Sequence, residues 1–201
     1  ISAYGFETSP RDIQKTGLLI KNSLKKHQVS VRLIPNSEPS LSTATSHNNK
    51  LGLSQNKVEL LVIKTNKGVF VAESRGTQNI SAYTKRDRDR PKRDAFIGML
   101  PPKLAQIMIN LATSGDQNLN ILDPFCGTGT VLQEAALRSH NLYGTDLNPQ
   151  MIDYKKANIN WLIDSHHLEG IQAQLDTADA MTHVWPYARS LDAIVCETYL
   201  G

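Results

Sequence analysis

Cysteine is scarce in this chain. Its two residues, Cys126 and Cys196, lie far apart and neither has a CxxC partner. That excludes a zinc ribbon and a disulfide framework, and it points to a reducing, cytoplasmic setting. No apolar run approaches the ~20 residues needed to span a bilayer, so no membrane helix is expected. The opening "ISAYGFETSP" lacks the basic and apolar regions of a secretory signal. It begins on Ile1 rather than Met, as a trimmed start would. The adjacent pair His166 and His167 has no further ligands at metal spacing, so no metal is expected.

What remains is an ordinary globular composition, 40% apolar and 20% charged, over 201 residues that allow one large or two modest domains. The net charge of +3 hides an asymmetry. Residues 1–100 hold 17 Lys and Arg against 8 acidic residues, a net +9. Residues 101–201 hold 5 against 11, a net −6. A basic half that meets a polyanion fits this split, and so does a merely solvated basic surface.

Along the chain, "PRDIQKTGLLIKNSLKKH" (10–27) sets Ile13, Leu18, Leu19, Ile20 and Leu24 at largely helical spacing among lysines, which predicts a basic amphipathic helix. The stretches 29–34, 58–65 and 69–74 alternate like strands, the last two around an "NKG" turn. Ser, Asn and Pro make 35–52 a loop around a weak helix. Residues 1–82 are thus a small α/β module. Residues 83–100 read as a charged linker in which Arg86, Arg88, Arg90, Lys92 and Arg93 are candidate phosphate contacts, joined by Lys21, Lys25 and Lys26 of the basic helix. From 101 the pattern alternates: helix 101–112, strand 120–125, helix 131–139, strand 141–147, a helix from "NPQM", then "IQAQLDTADA" and a final strand "LDAIVC". Alternation of this kind builds a parallel sheet, here with about four strands.

The stretch "DPFCGTGT" (123–130) joins a strand to a helix. Gly127 and Gly129 permit close backbone approach to a ligand, and the helix start at Thr130 presents N–H groups to an anion. No Lys follows, which argues against a triphosphate P-loop, and the spacing is not G-x-G-x-x-G, which weakens a nicotinamide site. Asp123 can take up a ligand ammonium. Asp146, at the tip of the next strand, can accept two ribose hydroxyls, and Asp179 can meet an adenine amino group. Each acid alone is more often a cap or a surface residue. Three at successive strand ends beside this loop point jointly to S-adenosylmethionine, with Phe125, Cys126, Thr128, Leu147 and Ala180 as neighbouring contacts.

Together "DPFCGTGT", "GTDLNPQMI" and "RPKRDAFIGMLPPKLAQIMINLA" resemble the THUMP-containing tRNA guanosine N2-methyltransferases. The resemblance runs from about residue 55 to the end and is sharpest over 83–148. It implies a Rossmann-like class I methyltransferase sheet, incomplete here, spanning 101–201 and preceded by a partial THUMP-like RNA-binding module. It also implies tRNA as partner, with no membrane involved, and material missing at both ends. A small activator subunit is a further partner that the sequence leaves open. In the family the fourth strand runs into an Asp-Pro-Pro-Tyr-type turn. Laid against it, "DAIVCETYLG" puts Glu197 at the acid, Thr198 and Tyr199 at the prolines, and Leu200 at the aromatic. Glu197 and the Thr198 carbonyl are then the expected acceptors for a guanine amino group, with Tyr199 stacking on the base. Loss of both prolines loosens the turn. Cys196 reads as a buried strand residue rather than a nucleophile. An amino-methyltransferase acting on rRNA or DNA, and an RNA-binding protein with a degenerate methyltransferase domain, stay open as alternatives.

Overall fold

The computed structural model describes residues 1–94, 99–185 and 188–198. The chain divides into two units, Ile1–Ser81 and Ala82–Gly201. Among the described residues no helix is long and apolar enough to cross a membrane.

In the first unit, β1 (Ser2–Tyr4) pairs in parallel with β2 (Leu60–Thr65), which forms a hairpin with β3 (Gly68–Glu73). Helix α1 (Pro10–Lys26) starts where Ser9 caps the Asp12 N–H and Pro10 needs no donor, and it ends with Lys25 and Lys26 in the last turn, where the helix dipole favours cations. A short α2 (Thr43–Asn48) follows, capped by Ser42. Buried Glu59 accepts hydrogen bonds from Ser2 and Ser46 at 2.6 and 2.8 Å, tying β1 and α2 to the start of β2. The strand expected at 29–34 is absent. Leu33 packs instead against Gly17 of α1, where a Cβ would lie 2.8 Å from its methyl carbons. That contact holds the segment to the helix, away from strand pairing.

The second unit is a four-stranded, all-parallel sheet with strand order β6-β5-β4-β7: β4 (Asn120–Asp123), β5 (Asn141–Asp146), β6 (Ala173–Thr177) and β7 (Ala193–Ile194). The chain starts in the middle, steps outward twice, then returns past β4 to β7. Strand order therefore reverses between β4 and β7, and such a switch point opens a crevice at the strands' carboxyl ends. Helices α3 (Ile80–Arg88), α4 (Pro102–Thr113), α5 (Thr130–Ala136) and α6 (Pro149–His166) complete the described elements, apart from a single 3₁₀ turn at Ala188–Ser190. The core gathers Ile109 of α4, Ile121 of β4, Leu132 of α5, Leu142 of β5, and Ile159 and Leu162 of α6, all at or below 1% exposure. Each such side chain contributes about 1.5–3 kcal/mol. This is the parallel sheet that the alternating pattern predicts, of the Rossmann-like kind that the resemblance implies.

The stretch 83–100 is not a free linker over its described residues. Every residue of α5 is buried, Glu134 included, and a buried carboxylate needs a partner. Arg86 supplies it with a two-pronged ion pair at 2.6 and 3.3 Å, and its guanidinium also lies 4.5 Å from the Tyr83 ring. Arg90, 3% exposed, donates to the Thr130 hydroxyl at 2.7 Å and to the Met99 sulfur. The phosphate contacts expected at Arg86 and Arg90 are thus corrected: both guanidiniums are spent inside the second unit.

Candidate functional site

The loop that follows β4 folds over the ends of two strands. Cys126 donates its N–H to the Thr145 carbonyl at 3.0 Å, and the Thr145 hydroxyl bonds the Pro124 carbonyl at 2.9 Å. Gly127 sits at φ 45° and gives its N–H to Asp146 Oδ2 at 2.9 Å, with open space where a side chain would project. Gly129, at φ 88°, caps α5, and a Cβ there would lie 2.8 Å from the Lys155 stem. Both glycines are therefore required, one by its backbone and one by backbone and crowding together. Asn158, fully buried, bonds the Thr128 carbonyl and both backbone groups of Lys92, each at 2.9 Å.

Above this loop lies a cleft of about 830 Å³. Asp123, Phe125, Cys126, Gly127, Thr128, Thr130, Asp146, Leu147, Asp179, Ala180, Glu197 and Thr198 all line it, so the described candidate cofactor residues converge, with the exception of Gly129, which lies beneath the turn. Phe125 and Leu147 are solvent-exposed apolar side chains, 46% and 73% accessible, as suits the walls of an open ligand site. Tyr199 lies outside the described residues.

The acids differ in setting. Asp123 is 2% exposed and accepts the Phe125 N–H at 3.1 Å. Burial pushes its carboxyl up to about 7, against the opposing pull of that hydrogen bond and of the Lys155 charge. Asp146 is partly exposed; each of its oxygens accepts one backbone N–H, from Gly127 and Asn148 at 2.9 Å, and keeps lone-pair capacity for a ligand hydroxyl. Asp179 is exposed and accepts the Met181 N–H at 2.9 Å, while Ala178 donates to the Asp146 carbonyl at 3.1 Å and joins the second and third strand ends. Glu197 and Thr198 are exposed just beyond β7, and Cys196 is half-buried there.

The remaining candidates sit elsewhere. Lys21, Lys25 and Lys26 lie along α1, the last two exposed. Arg88, Lys92 and Arg93 are exposed in the second unit, with the Lys92 ammonium 5.6 Å from the centre of the Tyr154 ring. Sequence reasoning missed Lys155 and Asn158, both at 0% exposure. A signal for Lys155 existed: it shares one helical stripe with Met151, Ile152, Ile159 and Leu162, all buried.

The family profile described as UPF0020, RMKL-like, methyltransferase domain, matches residues 90–196. A tRNA (guanine(10)-N2)-dimethyltransferase of Pyrococcus abyssi is 35% identical over 94 residues, 47% of this chain and 26% of that protein. The enzyme of the same name from Methanothermobacter thermautotrophicus is 36% identical over 89 residues, 41% of this chain and again 26% of the relative. The matched stretch thus spans about a quarter of these curated relatives. The crystal structure of TrmN from Thermus thermophilus is similar over 89% of this chain and 44% of that one, at 21% identity and a TM-score of 0.45. With more than half of its length inside the family profile, on a sheet of the matching kind, the chain belongs to the RMKL-like methyltransferase domain family.

Proposed function

We propose that this chain carries the cofactor-binding part of an S-adenosylmethionine-dependent RNA methyltransferase that modifies the exocyclic N2 of a guanosine in tRNA. The observation that carries the reading is the convergence of Asp123, Asp146, Asp179 and the glycine turn in one cleft, with Glu197 on its wall. The residues fit such a ligand. The buried carboxyl of Asp123 faces a cleft of ample volume, Asp146 retains acceptor capacity, and the open side of Gly127 admits a close approach.

In this reading Asp123 binds the ligand's ammonium, the N-terminus of α5 faces its carboxylate, Asp146 holds the ribose hydroxyls, and Asp179 meets the adenine amino group. The bound group would supply an electrophilic methyl on a sulfonium. The guanine amine is a poor nucleophile because its lone pair is delocalised into the ring. Glu197 and the Thr198 carbonyl accept its N–H bonds, raising electron density on nitrogen and orienting it, and the Glu197 carboxylate takes the proton released by transfer. Tyr199 would stack on the extruded base. The names of the two archaeal relatives support tRNA as acceptor. Residues Ile1–Ser81, with 11 Lys and Arg against 5 acidic residues, would serve as a THUMP-like part that grips the RNA backbone.

Incubation with tRNA, rRNA and duplex DNA side by side, followed by mass analysis of the nucleosides, tests the reading. N2-methylguanosine in tRNA is the expected product. Methylation confined to rRNA or DNA would overturn the acceptor, and failure of the full-length gene product to bind S-adenosylmethionine would sink the enzyme reading altogether.

A further inference from the structure

Two buried guanidiniums of the second unit are answered unequally. Arg86 meets the Glu134 carboxylate through two hydrogen bonds. Arg90, whose side chain is 0% exposed, meets no buried acid among the described residues. Its Nη1 donates to the Thr130 hydroxyl and its Nη2 to the Met99 sulfur, each at 2.7 Å. Asp87, half exposed, stands 4.0 Å from Nη2, and Nε has no partner among the described residues. A permanently charged group with five donors is thus left largely to neutral acceptors, which costs stability unless the charge serves another group.

Both close contacts of Arg90, Thr130 and Met99, line the cleft. The described wall of that cleft holds four acids, Asp123, Asp146, Asp179 and Glu197, and no lysine or arginine. An anionic part of a ligand must therefore be received by neutral donors. Thr130, 7% exposed, is the one described wall hydroxyl with a guanidinium behind it. A hydroxyl has one proton to give and two lone pairs to offer. Arg90 occupies a lone pair, so the proton points away from the cation, and no described residue accepts it. Donation from a cation also polarises the O–H and strengthens it as a donor.

We infer that Arg90 is a positioning residue of the cofactor site: by donating to Thr130 it turns the threonine O–H into the cleft as a charge-assisted donor for the ligand's carboxylate. The inference rests on the proposed S-adenosylmethionine reading of the cleft and adds the residue that serves the ligand's anionic end.

Calorimetry on the full chain separates this role from plain packing. Two probes are compared: S-adenosylmethionine and its decarboxylated form, which keeps the adenosine, sulfonium and ammonium but lacks the carboxylate. Thr130→Val and Arg90→Met should each bind S-adenosylmethionine about tenfold more weakly than wild type, the loss of one hydrogen bond to a charged group. The decarboxylated probe should bind both variants as it binds wild type. Thr130→Ser should retain wild-type affinity, and Arg90→Met should add little further loss in a Thr130→Val background. Equal weakening of both probes, no weakening of either, or full additivity of the two substitutions would overturn the proposal while leaving the cofactor reading intact. A wild type that binds neither probe would end both. If the Arg90 variant does not fold, wild-type protein labelled at arginine nitrogens gives the second test. The Arg90 guanidinium signals should shift further with S-adenosylmethionine than with the decarboxylated probe, and an equal or absent shift would overturn the proposal.

Discussion

Two basic stretches of this protein look alike in sequence and end in opposite environments. On α1, Lys25 and Lys26 remain in water. Between 86 and 90, by contrast, the structure buries Arg86 against Glu134 and Arg90 against Thr130, leaving Arg88 outside. The difference lies in side-chain chemistry and in the partner offered. Arginine presents a planar fork that can satisfy a buried carboxylate with two hydrogen bonds, and α5 offers Glu134 from a wholly buried helix. Lys25 and Lys26 fall in the last turn of α1, where exposure costs nothing and the dipole favours them. A run of positive charge thus identifies an RNA-facing surface only once the acids within the fold have been assigned their cations.

The largest effect is expected on removing Arg86. Arg86→Ala leaves Glu134 buried and uncompensated, and denaturant unfolding should register a loss of about 3–5 kcal/mol. A loss below 1 kcal/mol would mean that the pair is not buried in solution. Next comes Asp123, whose folded carboxyl titrates at about 7, above the ordinary carboxylate range. Between those values the folded protein keeps a proton that the unfolded chain has released, so stability falls as pH rises through that window. Asp123→Asn should remove this slope and be more stable than wild type above pH 7, by an amount on the order of a few kcal/mol, in unfolding curves across pH. Arg90→Ala should cost about 1–3 kcal/mol, since it strands the interactions at Thr130 and Met99. Last, Lys25→Ala with Lys26→Ala should change stability by less than about 0.5 kcal/mol per site. It should still weaken tRNA binding and reduce the salt slope by about one per lost phosphate contact. Lysine variants that unfold the protein while the arginine variants do not would reverse the comparison.

How much of this was readable in the sequence follows from the same physics. The parallel sheet was legible because short apolar runs alternate with helical periodicity, and the glycine turn because a strand-to-helix junction with Gly127 and Gly129 has few other uses. Asp123, Asp146 and Asp179 were legible by position, as the last residues before successive turns. The strand expected at 29–34 failed because alternation cannot reveal that Leu33 has a notch waiting at Gly17. Arg86 and Arg90 were misplaced because their partners are 48 and 40 residues distant, and such pairing exists only after folding. Lys155 and Asn158 were overlooked although both sit on buried faces of α6, since a polar letter on an apolar stripe reads as an irregularity until its contacts are seen.

The cleft formed by the glycine turn and the three strand-end acids is proposed as an adenosyl-ligand site. Calorimetric titration of S-adenosylmethionine into wild type and Asp146→Ala tests it most directly. One site per chain is predicted for wild type, with affinity reduced about 10- to 100-fold in the variant, the loss expected for hydrogen bonds to a charged group. Equal affinity in the two proteins, or no binding by wild type, would contradict it.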